Sequence, residues 1–103
     1  MAEKQTTSFR DLIDDETPVL IDFYATWCGP CHAYSPILAN LKQEMGDKMR
    51  LVKIDVDKNT EITEKLGVQA MPTTMIFQNG EMTFRAAGVQ TIDTLRAEIT
   101  KLI

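Results

Sequence analysis

The chain has 103 residues, of which 44% are hydrophobic and 25% are charged, and its formal net charge is −4. This length and composition are typical of a globular domain with a real core, so we expect a single domain over residues 1–103. The acidic balance disfavours nucleic acid as a partner, because phosphate contacts need a basic face. The chain contains no run of about eighteen apolar residues, so we expect no segment that spans a membrane.

The amino-terminal segment and the cysteine count bear on the compartment. Residues 1–7 lack the apolar stretch of a signal peptide, which predicts a cytoplasmic protein, or a periplasmic one whose leader has been removed. The two cysteines are too few for the disulfide framework of a small secreted protein.

The first third of the chain predicts a short helix followed by a buried strand. Ser8 is predicted to cap the helix, which begins at Phe9. Residues 19–24 are almost all apolar, so we expect a central strand that is buried on both faces. Asp22 interrupts this run. In a half-buried strand it would face water, but its apolar neighbours favour burial, which would raise its pKa.

The side chains best suited to redox chemistry come together in Trp27-Cys28-Gly29-Pro30-Cys31-His32, between that strand and a helical pattern. Cys28 would lie at a helix N-terminus, where unpaired backbone N–H groups favour the nucleophilic thiolate. Cys31, one turn further, should be more buried and less acidic. We expect Cys28 to attack a partner's disulfide and Cys31 then to attack Cys28, which releases the reduced partner. Asp22 could exchange a proton with Cys31.

Two other interpretations of the cysteine pair remain. A purely structural disulfide is one of them. A structural zinc site is disfavoured, since closed sites take four Cys or His ligands and the chain has two cysteines and one histidine. A CxxC pair beside a strand–helix–strand pattern, in a chain without further cysteines, favours a redox motif.

The middle of the chain predicts a long helix, a second strand and a short helix. The long helix runs to about Met45 and contains Pro36, which should kink it. The second strand covers residues 50–56 and should run parallel to the first, because a strand–helix–strand connection is normally a parallel crossover. Asn59 or Thr60 is predicted to cap the short helix.

The last third predicts a β-hairpin and a final helix. Residues 73–78 and 81–87 form the two strands, and Asn79-Gly80 between them is a strong hairpin signal. Thr91 is predicted to cap the final helix, whose apolar residues recur at helical spacing.

Several short runs together resemble the sequence signature of thioredoxins. In order, they are Phe23-Tyr24-Ala25-Thr26-Trp27-Cys28-Gly29-Pro30-Cys31, Ile54-Asp55-Val56-Asp57, Met71-Pro72-Thr73, Phe77-Gln78-Asn79-Gly80 and Gly88. They lie within residues 18–103 and are much more specific than an isolated CxxC. The resemblance implies an α/β thioredoxin fold, with a mixed central sheet of four to five strands flanked by helices on both faces.

The resemblance also implies roles for residues outside the cysteine pair. Asp22 matches a buried aspartate that accepts a proton in this family. Lys53 is expected near Asp22, where a cation would lower the pKa of that carboxyl. Met71 precedes Pro72, which matches a cis proline beside the active-site disulfide, and the backbone of the residue before that proline hydrogen-bonds the substrate chain.

The same comparison assigns Trp27, Gly29, Pro30 and Gly88 to the substrate-binding surface. Trp27 could be a core aromatic. Because it lies next to the nucleophile, we instead expect it to shield the thiolate and to offer an apolar contact face.

The chain departs from the family pattern at a few positions. His32 stands where thioredoxins usually carry lysine or arginine, and since imidazole titrates near neutral pH, we expect its charge near the thiols to tune them in a pH-dependent way. Tyr24 replaces a frequent tryptophan, and Ala70 a frequent glycine. The chain before Phe9 is short, so the family's first strand is expected to be reduced or missing.

We therefore expect a monomeric protein-disulfide reductase that needs no bound cofactor or metal. The resemblance implies exposed disulfides of other proteins as substrates and an NADPH-dependent thioredoxin reductase as electron donor. One alternative is a disulfide oxidase or isomerase, which the Gly29-Pro30 spacer disfavours and which His32 and a removed leader would favour. The other is a thioredoxin that serves as a non-redox subunit of a larger complex.

Overall fold

The computed structural model describes residues 8–103. In chain order the elements are α1 (Phe9–Ile13), β1 (Val19–Tyr24), α2 (Gly29–Met45), a 3-10 turn (Gly46–Lys48), β2 (Arg50–Asp55), α3 (Thr60–Lys65), β3 (Thr73–Gln78), β4 (Glu81–Ala87) and α4 (Ile92–Thr100). The predicted bounds are confirmed within a residue or two. The first strand expected from the family would fall in residues 1–7, outside the described residues.

The strands form one mixed sheet in the order β2-β1-β3-β4. The β1 strand pairs in parallel with β2 and antiparallel with β3, and β3 pairs antiparallel with β4. Residues 19–23 of β1 are each at most 1% exposed, which explains the nearly unbroken apolar run. The register places Asp22 beside Lys53 of β2 and Thr74 of β3.

Helices cover both faces of the sheet, as predicted. On one face α1 packs against a cluster that also holds the cysteines: Ile13, Val19, Ile21, Phe23, Ala25, Cys28, Cys31, Val56, Val68, Met75 and Phe77. On the other face α2 and α4 pack with β1 and β3: Leu20, Tyr34, Leu38, Leu41, Met45, Met49, Ile76, Leu95 and Ile99. Since side chains alternate along a strand, Asp22 lies on the same face as Leu20, the face covered by α2.

Two of the three predicted helix caps are present. The Ser8 hydroxyl accepts the N–H of Asp11 at 3.2 Å, and the Thr91 hydroxyl accepts the N–H of Thr94 at 3.1 Å. The third prediction, a side-chain cap on α3, is wrong. Asn59 directly precedes α3, but its side chain makes no capping bond; it donates to the Asp55 carbonyl at 2.9 Å instead.

The hairpin turn is built by Asn79 and Gly80, whose φ angles of 52° and 82° are both left-handed. Two consecutive left-handed residues match the twist of the flanking strands, as the Asn-Gly pair predicts. The pairing shifts register between Ile76 and Phe77, which was not anticipated. None of the helices in residues 8–103 combines the length and the apolar character that a membrane-spanning segment requires.

Candidate active site

The cysteine pair lies at the junction between β1 and α2. Cys28 is the N-cap of α2, and its Sγ accepts the backbone N–H of Cys31 at 3.2 Å. Pro30 falls in the first helical turn, where its missing N–H costs no helical hydrogen bond. This geometry directs one unpaired N–H of the helix end at the Cys28 sulfur, and it favours the thiolate whenever the pair is reduced.

Cys28 and Cys31 are joined by a disulfide, with their Cα atoms 5.3 Å apart. Cys28 is 5% exposed and Cys31 is 4% exposed. The predicted contrast in burial is therefore absent in this oxidised state. The reason is that the Cys28 sulfur is turned inward, onto the first turn of α2 and towards the Met71 carbonyl.

Residues distant in sequence complete the surroundings of Cys28. Its Sγ lies 3.6 Å from the Met71 carbonyl oxygen. The Met71–Pro72 peptide bond is cis, as the resemblance implied. The N–H of Gly88 donates to the Pro72 carbonyl at 2.7 Å. The fold thus brings the cysteine turn, the proline loop and the end of β4 together.

Trp27 lies at the surface and is not a core aromatic, since 68% of it is exposed. Its indole Nε1 donates to a carboxylate oxygen of Asp57 at 2.9 Å. This bond fixes the ring beside the cysteines while its face remains open to solvent. Gly29 and Pro30, which follow Cys28, are exposed as well.

Asp22 is buried, with only 1% of its side chain exposed. Neither carboxylate oxygen has a hydrogen-bond partner among residues 8–103. Burial raises the pKa of Asp22 to about 6, and the Lys53 ammonium, 4.0 Å away, partly offsets that rise. The side chain of Lys53 is 40% exposed. Its ammonium is therefore partly in contact with solvent, although the carboxyl that it faces is buried.

His32 is exposed one residue after Cys31. Its Nε2 donates to the Thr26 carbonyl at 2.8 Å, since a carbonyl oxygen can only accept. The imidazole therefore lies across the turn that leads into Cys28. It also lines a cavity of about 150 Å³ whose other walls are Tyr24, Ala25, Thr26, Cys31, Ser35 and Lys53.

Sequence reasoning missed three polar partners at this site. Ser35 accepts a hydrogen bond from Lys53 Nζ at 3.0 Å. The hydroxyl of Tyr34 on α2 shares a 2.7 Å hydrogen bond with the hydroxyl of Thr74. The carboxylate of Asp57 accepts the hydrogen bond of the Trp27 indole. The spacing of Ser35, one turn after Cys31, was the only available signal, because the partners of these residues are distant in sequence.

Comparisons with known proteins agree with this geometry. The family model for thioredoxins matches residues 1–101. The thioredoxin of Bacillus subtilis (strain 168) is 44% identical over 86 residues, which cover 84% of this chain and 83% of that protein. The chloroplastic thioredoxin Y of Oryza sativa subsp. japonica is 45% identical over 100 residues, which cover 95% of this chain and 60% of the rice protein.

A solved thioredoxin structure has the same fold as this chain. Mitochondrial thioredoxin 3 from Saccharomyces cerevisiae, in its oxidized form, superimposes with a TM-score of 0.80 at 39% identity, over 90% of this chain and 86% of that one. A thioredoxin-type sheet with a redox-competent Cys28–Cys31 pair at a helix N-terminus defines a thiol–disulfide oxidoreductase. The chain belongs to the thioredoxin family, and it is a protein-disulfide reductase.

Proposed function

We propose that this reductase transfers two electrons at a time to exposed disulfides of other proteins and is recharged by an NADPH-dependent thioredoxin reductase. The observation that carries the proposal is the position of the Cys28 sulfur, 3.2 Å from the Cys31 nitrogen and 3.6 Å from the Met71 carbonyl oxygen. The N–H stabilises an attacking thiolate. The carbonyl offers an acceptor to the backbone of an extended substrate segment.

In the reduced protein, the Cys28 thiolate attacks one sulfur of the target disulfide. The other target sulfur leaves as a thiolate and takes up a proton, and a mixed disulfide with Cys28 forms. Cys31 then loses its proton and attacks Cys28. The Cys28–Cys31 disulfide forms, the second target sulfur leaves and is protonated, and two electrons have passed to the target. The thioredoxin reductase returns two electrons and two protons.

Asp22 is proposed to accept the proton that Cys31 loses. With a pKa of about 6, Asp22 is mainly a carboxylate at neutral pH and can bind a proton without a large energetic cost. Lys53 keeps that pKa from rising further. An Asp22→Asn variant should therefore resolve the mixed disulfide more slowly at pH 6–8. A rate equal to that of the unmodified protein over this range would rule out the relay.

The substrate surface is proposed to consist of Trp27, Gly29, Pro30, Met71 and Pro72, with Gly88 at its border. Trp27 offers a large apolar face, and Gly29 and Pro30 are exposed beside the nucleophile. Gly88 supports the proline loop through its bond to the Pro72 carbonyl. His32, one residue after Cys31, is proposed to adjust the thiols through its charge.

We further propose a monomer that works in the cytoplasm. A reducing compartment suits the chemistry, because such compartments keep thiols reduced. The relatives include a chloroplastic and a mitochondrial thioredoxin, so family membership leaves other compartments open, among them the periplasm considered from the sequence. Size-exclusion chromatography with light scattering tests the monomer, and fractionation of the source cells tests the location.

The central experiment couples reduction of insulin to NADPH oxidation through a thioredoxin reductase. The unmodified protein should turn over many times. Cys28→Ser should abolish turnover, whereas Cys31→Ser should trap a mixed disulfide between Cys28 and insulin. Thr100→Ala, at an exposed site on α4, is the matched control and should be unaffected. Turnover that persists without both cysteines would refute the proposal, and activity confined to oxidising a dithiol peptide would favour the oxidase alternative.

A further inference from the structure

Ser35 connects the cysteine helix to the charge that faces Asp22. It lies on α2, one turn after Cys31, and its hydroxyl donates to the Cys31 carbonyl at 3.4 Å. The same oxygen accepts a hydrogen bond from Lys53 Nζ at 3.0 Å. The hydroxyl therefore donates one hydrogen bond and accepts another, and a continuous polar path runs from the Cys31 backbone to the Lys53 ammonium.

Lys53 needs such an anchor to remain over the buried carboxyl. Its Nζ is 4.0 Å from Asp22 Oδ2, beyond hydrogen-bond distance, and 40% of its side chain is exposed. The ammonium therefore has water as an alternative partner. Two contacts oppose its release: the hydroxyl of Ser35, and the ring of Tyr24, whose centroid lies 5.4 Å away.

We propose that Ser35 is a positioning residue for thiol–disulfide exchange: its hydroxyl holds the Lys53 ammonium against Asp22 and ties that contact to the helix turn that carries Cys31. The proposal rests on the proposed role of Asp22 and adds a residue whose effect can be measured separately. One cavity of about 150 Å³ next to the disulfide is lined by Ser35, Lys53 and Cys31. The hydrogen bond between Ser35 and Lys53 therefore lies close to the reacting cysteine.

The other groups around Asp22 do not replace this anchor. From α2, the phenol of Tyr34 is buried and its pKa is raised by desolvation, so it stays neutral through the relevant range. From β3, Thr74 pairs with Asp22 in register but does not titrate. His32 lines the adjoining cavity and is bonded to Thr26. Among residues 8–103, Lys53 is therefore the cation that acts on this carboxyl.

The test follows the Asp22 carboxyl by ¹³C NMR titration of the oxidised protein, in which the cysteines do not titrate. In Ser35→Ala the ammonium is freer to move into water, so the Asp22 midpoint should rise by about half a unit to one unit. Ser35→Thr keeps a hydroxyl that can bond the carbonyl four residues earlier, and it should retain the original midpoint. His32 is present in every variant, so its charge is common to all.

Two further variants serve as controls. Thr63→Ala removes a hydroxyl of α3 that donates to the carbonyl of Asn59, four residues earlier, at 2.7 Å, and it should leave the midpoint unchanged. Lys53→Met should raise the midpoint by itself, and adding Ser35→Ala should then cause no further rise. An unchanged or lowered midpoint in Ser35→Ala, or an equal rise in the Lys53→Met background, would overturn the proposal.

A kinetic measurement separates this inference from the proposed relay. The pH midpoint for resolution of the mixed disulfide should move upward in Ser35→Ala, in step with the Asp22 titration. If Asp22→Asn leaves the pH profile intact, the relay fails. The NMR result still decides the role of Ser35, because it reads the carboxyl directly.

Discussion

Asp22 shows how one buried residue ties stability to pH. In the folded protein its pKa is raised from 3.8 to about 6, with desolvation as the largest cause. Between these two values the folded state binds more protons than the unfolded state, so stability falls as the pH rises through this window. Well below pH 3.8 the carboxyl is neutral in both states and the cost is absent, and at pH 4 only a small part of it remains.

Asp22→Asn should therefore stabilise the protein at pH 7 and have little effect at pH 4. A shift from 3.8 to about 6 corresponds to about 2 to 3 kcal/mol in the free energy of unfolding, and the buried amide of the variant will reduce that gain. Urea denaturation at both pH values measures the difference. Asp47→Asn, at an exposed carboxylate, is the control. An equal gain in the free energy of unfolding at pH 4 and pH 7 would show that the gain does not come from removing the buried charge of Asp22.

The sequence predicts the burial and the local geometry of a residue well where both follow from the helix or strand that contains it. The apolar run around Asp22 predicts its burial, and the position of Cys28 before a helix predicts its capping geometry. Ser35 and Tyr34 were missed because a helical pattern shows which face is buried without showing its partners. Lys53 and Thr74, which bond them, come from strands 18 and 40 residues further along.

Among the elements, α4 illustrates how a local capping signal supports the core. Thr91 caps the helix through the N–H of Thr94. The helix then places Leu95 and Ile99, both fully buried, against the face of the sheet that α2 also covers. Asp93 in its first turn complements the positive end of the helix dipole.

Thr91→Ala should lower the free energy of unfolding by about 1 kcal/mol, because the capping bond is lost and the orphan N–H groups gain no replacement. For a domain of this size, that corresponds to a fall in Tm of roughly 4 to 8 °C. Differential scanning calorimetry measures it. Thr100→Ala, at the exposed far end of α4, should change Tm little. A Thr91→Ala variant as stable as Thr100→Ala would show that the cap does not support the helix.

The helices and strands of residues 8–103 were predicted with the right type, whereas the 3-10 turn at Gly46–Lys48, a strand register and one capping bond were not. The Asn79-Gly80 turn is a local signal, so the hairpin was found with its ends in place. The register shift at Ile76 and Phe77 depends on how two strands fit together, which no local pattern records. Asn59 precedes its helix as predicted, but its side chain donates to the Asp55 carbonyl and so does not cap the helix.

For the molecule as a whole, the sheet's connectivity creates the site. The β1 strand leads into the cysteine turn, β3 begins directly after the cis proline, and β4 ends directly before Gly88. The Cys28 sulfur lies beside the Met71 carbonyl, and Gly88 is bonded to Pro72, so the three segments are linked through the proline loop. Strand pairing places the buried Asp22 beside the partly exposed Lys53, and Lys53 lines the same cavity as Cys31. The family resemblance predicted this convergence, whereas composition and periodicity predicted only the elements.

The reduction potential of the Cys28–Cys31 pair tests the central claim most directly. The oxidised and reduced protein can be equilibrated with graded ratios of reduced and oxidised dithiothreitol, with the exposed Trp27 as a fluorescent reporter. A reductase should give a strongly reducing value, near the roughly −270 mV that is commonly given for thioredoxins. A value of about −180 mV or higher, in the range of isomerases and oxidases, would contradict the account.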